Sequence, residues 1–423
     1  MSTPPTPVSR EQVVEQLLAS MQYEFARTGP PEGFPTLPLI PAGRYTDPAF
    51  LKLEAEGMWK RAWLYACHLD EIPQPGHFLQ FTRLGSPLLI VHGKDGVIRA
   101  FYNTCRHRGA PLVKDLQGQV DGLVCQYHGW TYTLDGRLVN LRDKRDFNEM
   151  DLNCHGLATV RCERLGNFIF VNEAADAMPL LESLGHIPWY FEEVKPEQTR
   201  FVHKKSYRVK CNVKVLLDAF LEVYHLKSIH QQTVDRFLDH RGTTITLWPR
   251  GCSLMLTPNR RPDWEDPGTK GMPRVPGATA LTAKNNPSFM FYPNLVTPIA
   301  DSGIPFLLFW PCGDREMEIE VVWFSPDTGG EPLSPLWKAR IDNFERILYE
   351  DTQFAEYIQQ SVESAGFRGL TLNYQERRIY HWHEELDRRI GLERVPEHLR
   401  VTQLLAPFVS TNPVGTLPGA DQG

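Results

Sequence analysis

The spacing of apolar positions changes along the chain, and each change marks an element. Residues 10–27 repeat Val13, Val14, Leu17, Leu18, Met21 and Phe25 at the interval of an amphipathic helix. A Gly/Pro-rich passage over 29–43 leads to Tyr45, and the pattern then predicts a helix from Asp47 through Trp63. Asp47 would cap it with Pro48 just inside, and Phe50, Leu53, Met58, Trp59, Ala62 and Trp63 form its packing face. From 64 to 171 the period shortens to that of strands, expected over 77–81, 87–91 and 98–102. Turns at Gly85-Ser86, Lys94-Asp95-Gly96, Gly118, Gly122 and Asp135-Gly136 separate the runs, and 166–171 closes them.

Residues 172–199 read as a linker with one short helix, and 200–210 as an edge-like strand. A helical stretch around 218–225 precedes strands over 243–247, 252–257, 288–292, 305–310 and 316–324. Four prolines and three glycines in 260–277 predict a loop. Residues 335–363 form a long helix, 396–423 a Pro/Gly-containing tail, and the Pro/Thr-rich 1–9 is expected to be disordered. The fold class is α+β, with a small all-β domain followed by strands packed on long helices. The domain boundaries expected are an N-terminal helical segment at 1–62, packing on the second domain, the β domain at 63–173, the α+β domain at 174–409 and a flexible tail at 410–423.

Composition narrows the function classes. The 423 residues suffice for two or three domains, and 42% hydrophobic with 23% charged residues is ordinary for a globular protein. A net charge of -6 without a basic run gives no reason to expect nucleic acid. No apolar stretch approaches a membrane span and the N-terminus lacks a secretion-signal pattern, so the expected location is the cytoplasm. Eight scattered cysteines do not make a disulfide scaffold.

Two clusters carry chemistry. Cys105-Arg106-His107 and Cys125-Gln126-Tyr127-His128 each bring one thiolate and one imidazole, with seventeen residues between His107 and Cys125 and a glycine after each half. The set suits an iron-sulfur cluster with two thiolates on one iron and two imidazoles on the other, or a tetrahedral zinc. A zinc finger usually groups its Cys pair and its His pair separately, which disfavours zinc. Downstream, Asp218, Glu222 and His225 share helical spacing, and His230 follows five residues after His225. Two imidazoles and one carboxylate would leave open positions on Fe(II) for oxygen chemistry. The distant acid is Asp351 on the long helix, with Glu350 its rival and Asp342 a weaker one.

The runs CRHRGAPL (105–112) and CQYHGWTYTLDG (125–136) resemble those of the large, catalytic subunit of the Rieske non-haem iron oxygenases, although that family commonly has proline where Gln126 sits. The resemblance implies one [2Fe-2S] Rieske cluster on Cys105, His107, Cys125 and His128, and one mononuclear Fe(II) on His225, His230 and Asp351, in a helix-grip-like catalytic domain. It also implies that Glu222 links His225 to His128 of the partner subunit in a head-to-tail homotrimer, or in an α3β3 assembly if a small subunit exists. Glu in place of the usual Asp, and DAFLEVYH overall, resemble the choline, carnitine and betaine oxygenase subset. Asn212 lies at a family-matching position and is expected near substrate or oxygen, or else as a helix cap two residues before Lys214.

No Gly-x-Gly-x-x-Gly fingerprint and no plant-type ferredoxin spacing is present, so electrons from NAD(P)H are expected through a separate reductase, with or without a ferredoxin. The expected reaction is mono- or dioxygenation of an aromatic or other hydrophobic carbocyclic substrate. The alternative is hydroxylation or N-/O-demethylation of a quaternary ammonium or methoxy compound. Candidate pocket residues are Phe220, Leu221, Leu238, Trp248, Met255, Phe289, Phe291, Phe309, Trp323 and Phe344, and Arg250, Arg260, Arg261 or Lys284 would hold a substrate carboxylate.

Overall fold

The computed structural model describes residues 9–261, 263 and 269–415. The expectations of disorder at 1–9, a loop over 260–277 and a flexible tail at 410–423 fall in part outside the described residues. The chain divides into two compact units, Met1–Met58 with Leu184–Lys195 and Val202–Gly423, and Trp59–Ser183 with Pro196–Phe201.

Helix α1 (Arg10–Ala26) opens on a capping box between Ser9 and Gln12, and buries Val13, Leu17 and Met21 but leaves Phe25 exposed. After β1 (Ile40–Pro41) and α2 (Gly43–Thr46), α3 (Pro48–Gly57) starts where Asp47 accepts from the Ala49 amide. This helix does not run to Trp63. It stops at Gly57, where a Cβ would lie 2.7 Å from the Ile390 backbone, and the chain continues as a short 3-10 turn over Trp59–Arg61.

The smaller unit contains β2 (Leu64–His68), β3 (His77–Phe81), β4 (Leu88–His92), β5 (Ile98–Tyr102), β6 (Gln117–Gln119), β7 (Leu123–Val124), β8 (Thr131–Tyr132), β9 (Leu138–Asn140), β10 (Thr159–Leu165) and β11 (Phe168–Asn172). Seven strands pair in the order β2-β11-β10-β5-β4-β3-β6, and β7-β8-β9 form a second sheet. Phe101, Leu112, Leu123, Trp130 and Tyr132 pack around Cys105 and Cys125. His68, His77 and His92 serve the scaffold. His68 accepts from the Asp70 amide, His77 pairs with the Gln74 backbone, and His92 meets the Ile72 carbonyl.

The stretch read as a linker holds two helices, α4 (Leu180–Ser183) and α5 (Ile187–Val194). Helix α5 is no spacer: Ile187, Tyr190, Phe191 and Val194 are buried, and the Phe191 ring meets those of Phe289 and Phe291. Strand β12 (Arg200–Val209) enters the larger unit at Val202, and that unit then runs through α6 (Val213–Ala219), α7 (Leu226–Ile229), β13 (Thr244–Leu247), β14 (Ser253–Pro258), α8 (Ala280–Lys284), β15 (Asn285–Phe291), β16 (Leu295–Pro298), β17 (Ile304–Pro311), β18 (Met317–Ser325), α9 (Leu336–Val362), β19 (Gly369–Leu370) and α10 (Arg377–Ile390). Its sheet has the order β12-β18-β17-β16-β15-β14-β13, which puts Arg200–Val209 at an edge. Strands β17 and β18 are buried along nearly their whole length; β17 reads as a continuous apolar run, whereas β18 opens with Glu318 and Glu320 alternating with Met317 and Ile319. Helix α6 packs on β17 and α9, and α10 packs on β13 and α3.

Helix α10 was not expected from the sequence. Arg377, Arg378, His381, His383, Glu384 and Asp387 are all buried on it. They are tolerated because they are paired. Arg378 donates to Ser253 and Ser288, and the Arg44 guanidinium bridges Asp387 (2.7 Å) and His383 (3.1 Å). Tyr45 donates to Asp218 (2.5 Å) and lies 3.1 Å from His383, and Lys214 pairs with Glu54 at 2.7 Å. No described helix is long and apolar enough to cross a membrane.

Candidate functional site

The two Cys/His loops of the smaller unit share one backbone lattice. The Cys105 amide donates to the Ala110 carbonyl and the Gly109 amide returns to the Cys105 carbonyl; Cys125, Trp130 and Gly129 repeat both bonds. Gly109 and Gly129 take φ of +76° and +72°, a conformation that a side chain disfavours. Both thiols are buried, and the Cys105 sulfur lies 3.4 Å from the Tyr132 hydroxyl. The imidazoles are half-buried, with Nδ1 of His107 and Nδ1 of His128 3.0 Å apart. Trp130 stacks on the His107 ring at 4.9 Å. Burial, with the neighbouring His128 and Arg108, pushes His107 below the ordinary histidine range, which favours the neutral, ligating form.

A single tetrahedral ion would draw all four donors together. Among the described residues, however, His225, His230 and Asp351 are the one group of three or more potential ligands within 4.8 Å of one another. The thiol pair and the imidazole pair therefore do not converge on one point. That separation fits a two-iron cluster and disfavours zinc.

In the larger unit the helix expected through 218–225 is interrupted. Helix α6 ends at Ala219 with Phe220 as its cap, and α7 begins at Leu226. The Glu222 carboxylate turns back to accept from the amides of Tyr224 and His225, replacing helical hydrogen bonds with local ones. Asp218 consequently does not share a face with Glu222 and His225; it points into the buried network at Tyr45.

The break delivers the ligand geometry. Nε2 of His230 and Nε2 of His225 lie 3.1 and 3.5 Å from Oδ1 of Asp351. Each imidazole presents its other nitrogen to a carboxylate, His225 to Glu222 and His230 to Glu350 at 2.6 Å. Thr233 donates to the same Glu350 oxygen at 2.6 Å. Glu350, the rival for the ligand position, thus faces the far side of His230. Asp342, the weaker candidate, pairs with Lys338.

Burial alone would lower both imidazoles, but the surrounding carboxylates lift His225 and His230 above the ordinary range. Three carboxylates around two imidazoles make a place for a cation, and two imidazoles with one carboxylate suit Fe(II). Asn212 is not brought into this group. Its side-chain Oδ1 caps α6 by accepting from the Lys214 amide, and its side-chain Nδ2 donates to the Asp314 carbonyl.

A cavity of about 990 Å³ has Thr233, which donates to Glu350, and Ile347 in its wall, while His225, His230 and Asp351 do not line it. Of the expected pocket residues, Leu238, Trp323, Phe344 and Arg261 line it. Leu221, Trp248, Met255, Phe289, Phe291 and Phe309 are core, while Phe220 is half-buried against Phe309. Arg260 is engaged by Asp235 and Asp239. The contacts of Thr233 and His230 with Glu350 were not foreseen: nothing local marks a threonine three residues past a candidate ligand.

A β domain with paired Cys/His loops, followed by an α+β domain with a two-histidine, one-carboxylate centre, defines the class of Rieske non-haem iron oxygenases. Residues 62–156 match the Rieske [2Fe-2S] domain, and 196–392 match the catalytic domain of the ring-hydroxylating alpha subunit. The chain is 32% identical over 365 residues to the glycine betaine monooxygenase oxygenase subunit of Chromohalobacter salexigens, covering 78% of this chain and 80% of that one. It is 30% identical to the carnitine monooxygenase oxygenase subunit of Escherichia coli over 45% of this chain and 52% of that one. A solved quaternary ammonium Rieske monooxygenase superposes with a TM-score of 0.73 at 20% identity, covering 86% of this chain and 100% of that one. Naphthalene 1,2-dioxygenase from Rhodococcus shares the fold with a TM-score of 0.67 at 18% identity, covering 92% of this chain and 100% of that one. The chain belongs to the Rieske ring-hydroxylating oxygenase family, whose cofactors are a Rieske [2Fe-2S] cluster and a mononuclear iron.

Proposed function

We propose that this chain is the terminal oxygenase component of a multicomponent system that hydroxylates or demethylates a quaternary ammonium compound, with electrons from a separate reductase. The relative matched over most of its length, at 32% identity, acts by its name on glycine betaine, and one at 30% on carnitine, which favours this substrate class over the aromatic or carbocyclic one expected first. We assign the cluster to Cys105, His107, Cys125 and His128, and the mononuclear iron to His225, His230 and Asp351. When bound, the cluster supplies electrons and the iron supplies oxygen activation.

The observation that carries the oxygenase reading is the convergence of His225, His230 and Asp351 within 4.8 Å of one another. Glu222 and Glu350 hold the Nδ1 protons of His225 and His230, so that Nε2 of each ring faces the metal position. Glu222 is also proposed to link His225 with His128 of the partner subunit in a homotrimer, and its location in the turn between two short helices supports that role. Asn212 is proposed to act on the site only through α6, whose first turn it caps.

A product screen with a surrogate reductase tests the reading across quaternary ammonium compounds, arenes, aromatic acids and polycyclic terpenoids. Oxygen uptake coupled to a demethylated or hydroxylated ammonium product is expected. Coupled turnover of arenes alone would return the substrate class to the aromatic reading, which the likeness to a Burkholderia 2,4-dinitrotoluene dioxygenase component favours.

A further inference from the structure

Two segments of the larger unit carry both the candidate iron ligands and part of the cavity wall. His230 is followed by wall residues at 232–234 and 236–238, and Asp351 is preceded on α9 by wall residues Phe344 and Ile347. Thr233 ties these segments together. Its hydroxyl donates to Oε2 of Glu350 at 2.6 Å, and the same oxygen lies 2.6 Å from Nδ1 of His230.

The two partners of that hydrogen bond differ in freedom. Glu350 has a long, flexible side chain that is 20% exposed, and Arg346, one turn back along α9, attracts the same carboxylate. Thr233 is buried and β-branched, which stiffens its χ1. Its amide donates to the His230 carbonyl at 3.0 Å, and the Asp235 amide adds a bond to that carbonyl at 3.1 Å. The turn therefore sets Thr233 in a fixed place relative to the His230 backbone. The hydroxyl has one proton and two acceptors within reach: the Glu350 carboxylate at 2.6 Å and the His230 carbonyl at 3.4 Å. Distance and charge both direct that proton to Glu350.

We propose that Thr233 is a positioning residue of the mononuclear centre: its hydroxyl pins the Glu350 carboxylate on Nδ1 of His230 and so keeps Nε2 of that ring turned toward Asp351. Without the hydroxyl, Glu350 divides its time among His230, water and Arg346, and the ring loses its fixed orientation. The requirement is for a donor at this position and not for the shape of the side chain, so serine serves and valine does not. The inference rests on the proposed ligands His230 and Asp351 and is independent of the substrate class.

The test is the ferrous affinity of the full chain with its Rieske cluster intact, measured by anaerobic equilibrium dialysis against a graded chelator. Thr233→Val should weaken iron binding about 3- to 10-fold, less than loss of the whole carboxylate, because His230 still meets Glu350 part of the time. Thr233→Ser should stay within about twofold of the parent protein, since it keeps the donor. In a Glu350→Ala background, Thr233→Val should change the affinity by less than about twofold, because its effect passes through the missing carboxylate. Nitric oxide, added as an EPR probe of the iron, should give an altered line shape in Thr233→Val and the parent line shape in Thr233→Ser, a difference that lost stability alone does not produce. If Thr233→Val does not fold, Thr233→Ala against Thr233→Ser makes the same comparison. Unchanged affinity or an unchanged EPR signal on loss of the hydroxyl, a serine variant as weak as the valine one, or full additivity with Glu350→Ala would overturn the role of Thr233. Iron retained in full by Asp351→Ala would overturn the ligand set, and this role with it.

Discussion

The two neighbouring acids of α9 are separable by experiment because they face opposite ends of one imidazole. Asp351 lies at Nε2 of His230 and Glu350 at Nδ1. Glu350→Ala removes a carboxylate that receives two hydrogen bonds, from His230 and from Thr233, both at 2.6 Å. A hydrogen bond to a charged group is worth about 1.5–3 kcal/mol, and with the Glu350 side chain 20% exposed, water places the loss near the lower end. A loss of about 1.5–2.5 kcal/mol is roughly a 10- to 60-fold weaker grip on ferrous iron, at about 1.4 kcal/mol per tenfold. The range matches the usual effect of removing a partner of a ligating histidine, roughly 10- to 100-fold. Asp351→Ala removes the proposed ligand outright and should leave no retained mononuclear iron. Equilibrium dialysis against a graded ferrous chelator measures both, with the visible Rieske spectrum as an internal control for folding. Iron lost completely from Glu350→Ala but kept by Asp351→Ala would mean the acids are exchanged, and unchanged affinity in Glu350→Ala would refute the orienting role.

Other substitutions probe the remaining parts. Glu222→Gln should retain both metals yet slow product formation in a single turnover of pre-reduced protein; a wild-type rate would contradict the bridge. Gly109→Ala should destabilise the smaller unit by about 1 kcal/mol, the cost of a left-handed alanine, because no atom lies within 4 Å of the added Cβ. A thermal melt unmoved by Gly109→Ala would show that the loop relaxes. Burial pushes the Asp218 carboxyl up to about 7, against roughly 3.9 in an unfolded chain. The folded state then holds a proton that the unfolded chain has released, so stability falls as pH rises from about 4 to 7. Asp218→Asn should flatten that slope in melts across the range, and an unaltered slope would place the titration elsewhere.

The Rieske-type loops were legible because each is local: ligand, glycine and ligand spacing all lie within 105–130. The strands of the larger unit were visible as apolar runs, although Leu295–Pro298 was too short to register. The break after α6 was not legible, since Asp218, Glu222 and His225 have good helical spacing and only the folded chain shows Glu222 capping its own backbone. The choice between Glu350 and Asp351 turned on which face of α9 meets the histidines, which adjacent letters do not encode. Helix α10 was missed because its charges imply solvent, while its partners at Arg44, Ser253 and Ser288 come from distant elements. The cavity is assembled from α9, the sheet and the segments around 232–238 and 269–286, so its lining emerged only from the fold.

The interruption between Ala219 and Leu226 has a mechanical side. Helix α6 has seven residues and α7 four, each too short to persist alone. Glu222 secures the turn between them by accepting from Tyr224 and His225, and a metal on the proposed ligand His225 would secure it further. On the proposed ligand set, loading the iron would be a local folding event, and chelated protein should exchange its amides over 220–233 far faster than the metal-bound form. The same segment that carries the ligands would report, through its own protection, whether the enzyme is charged.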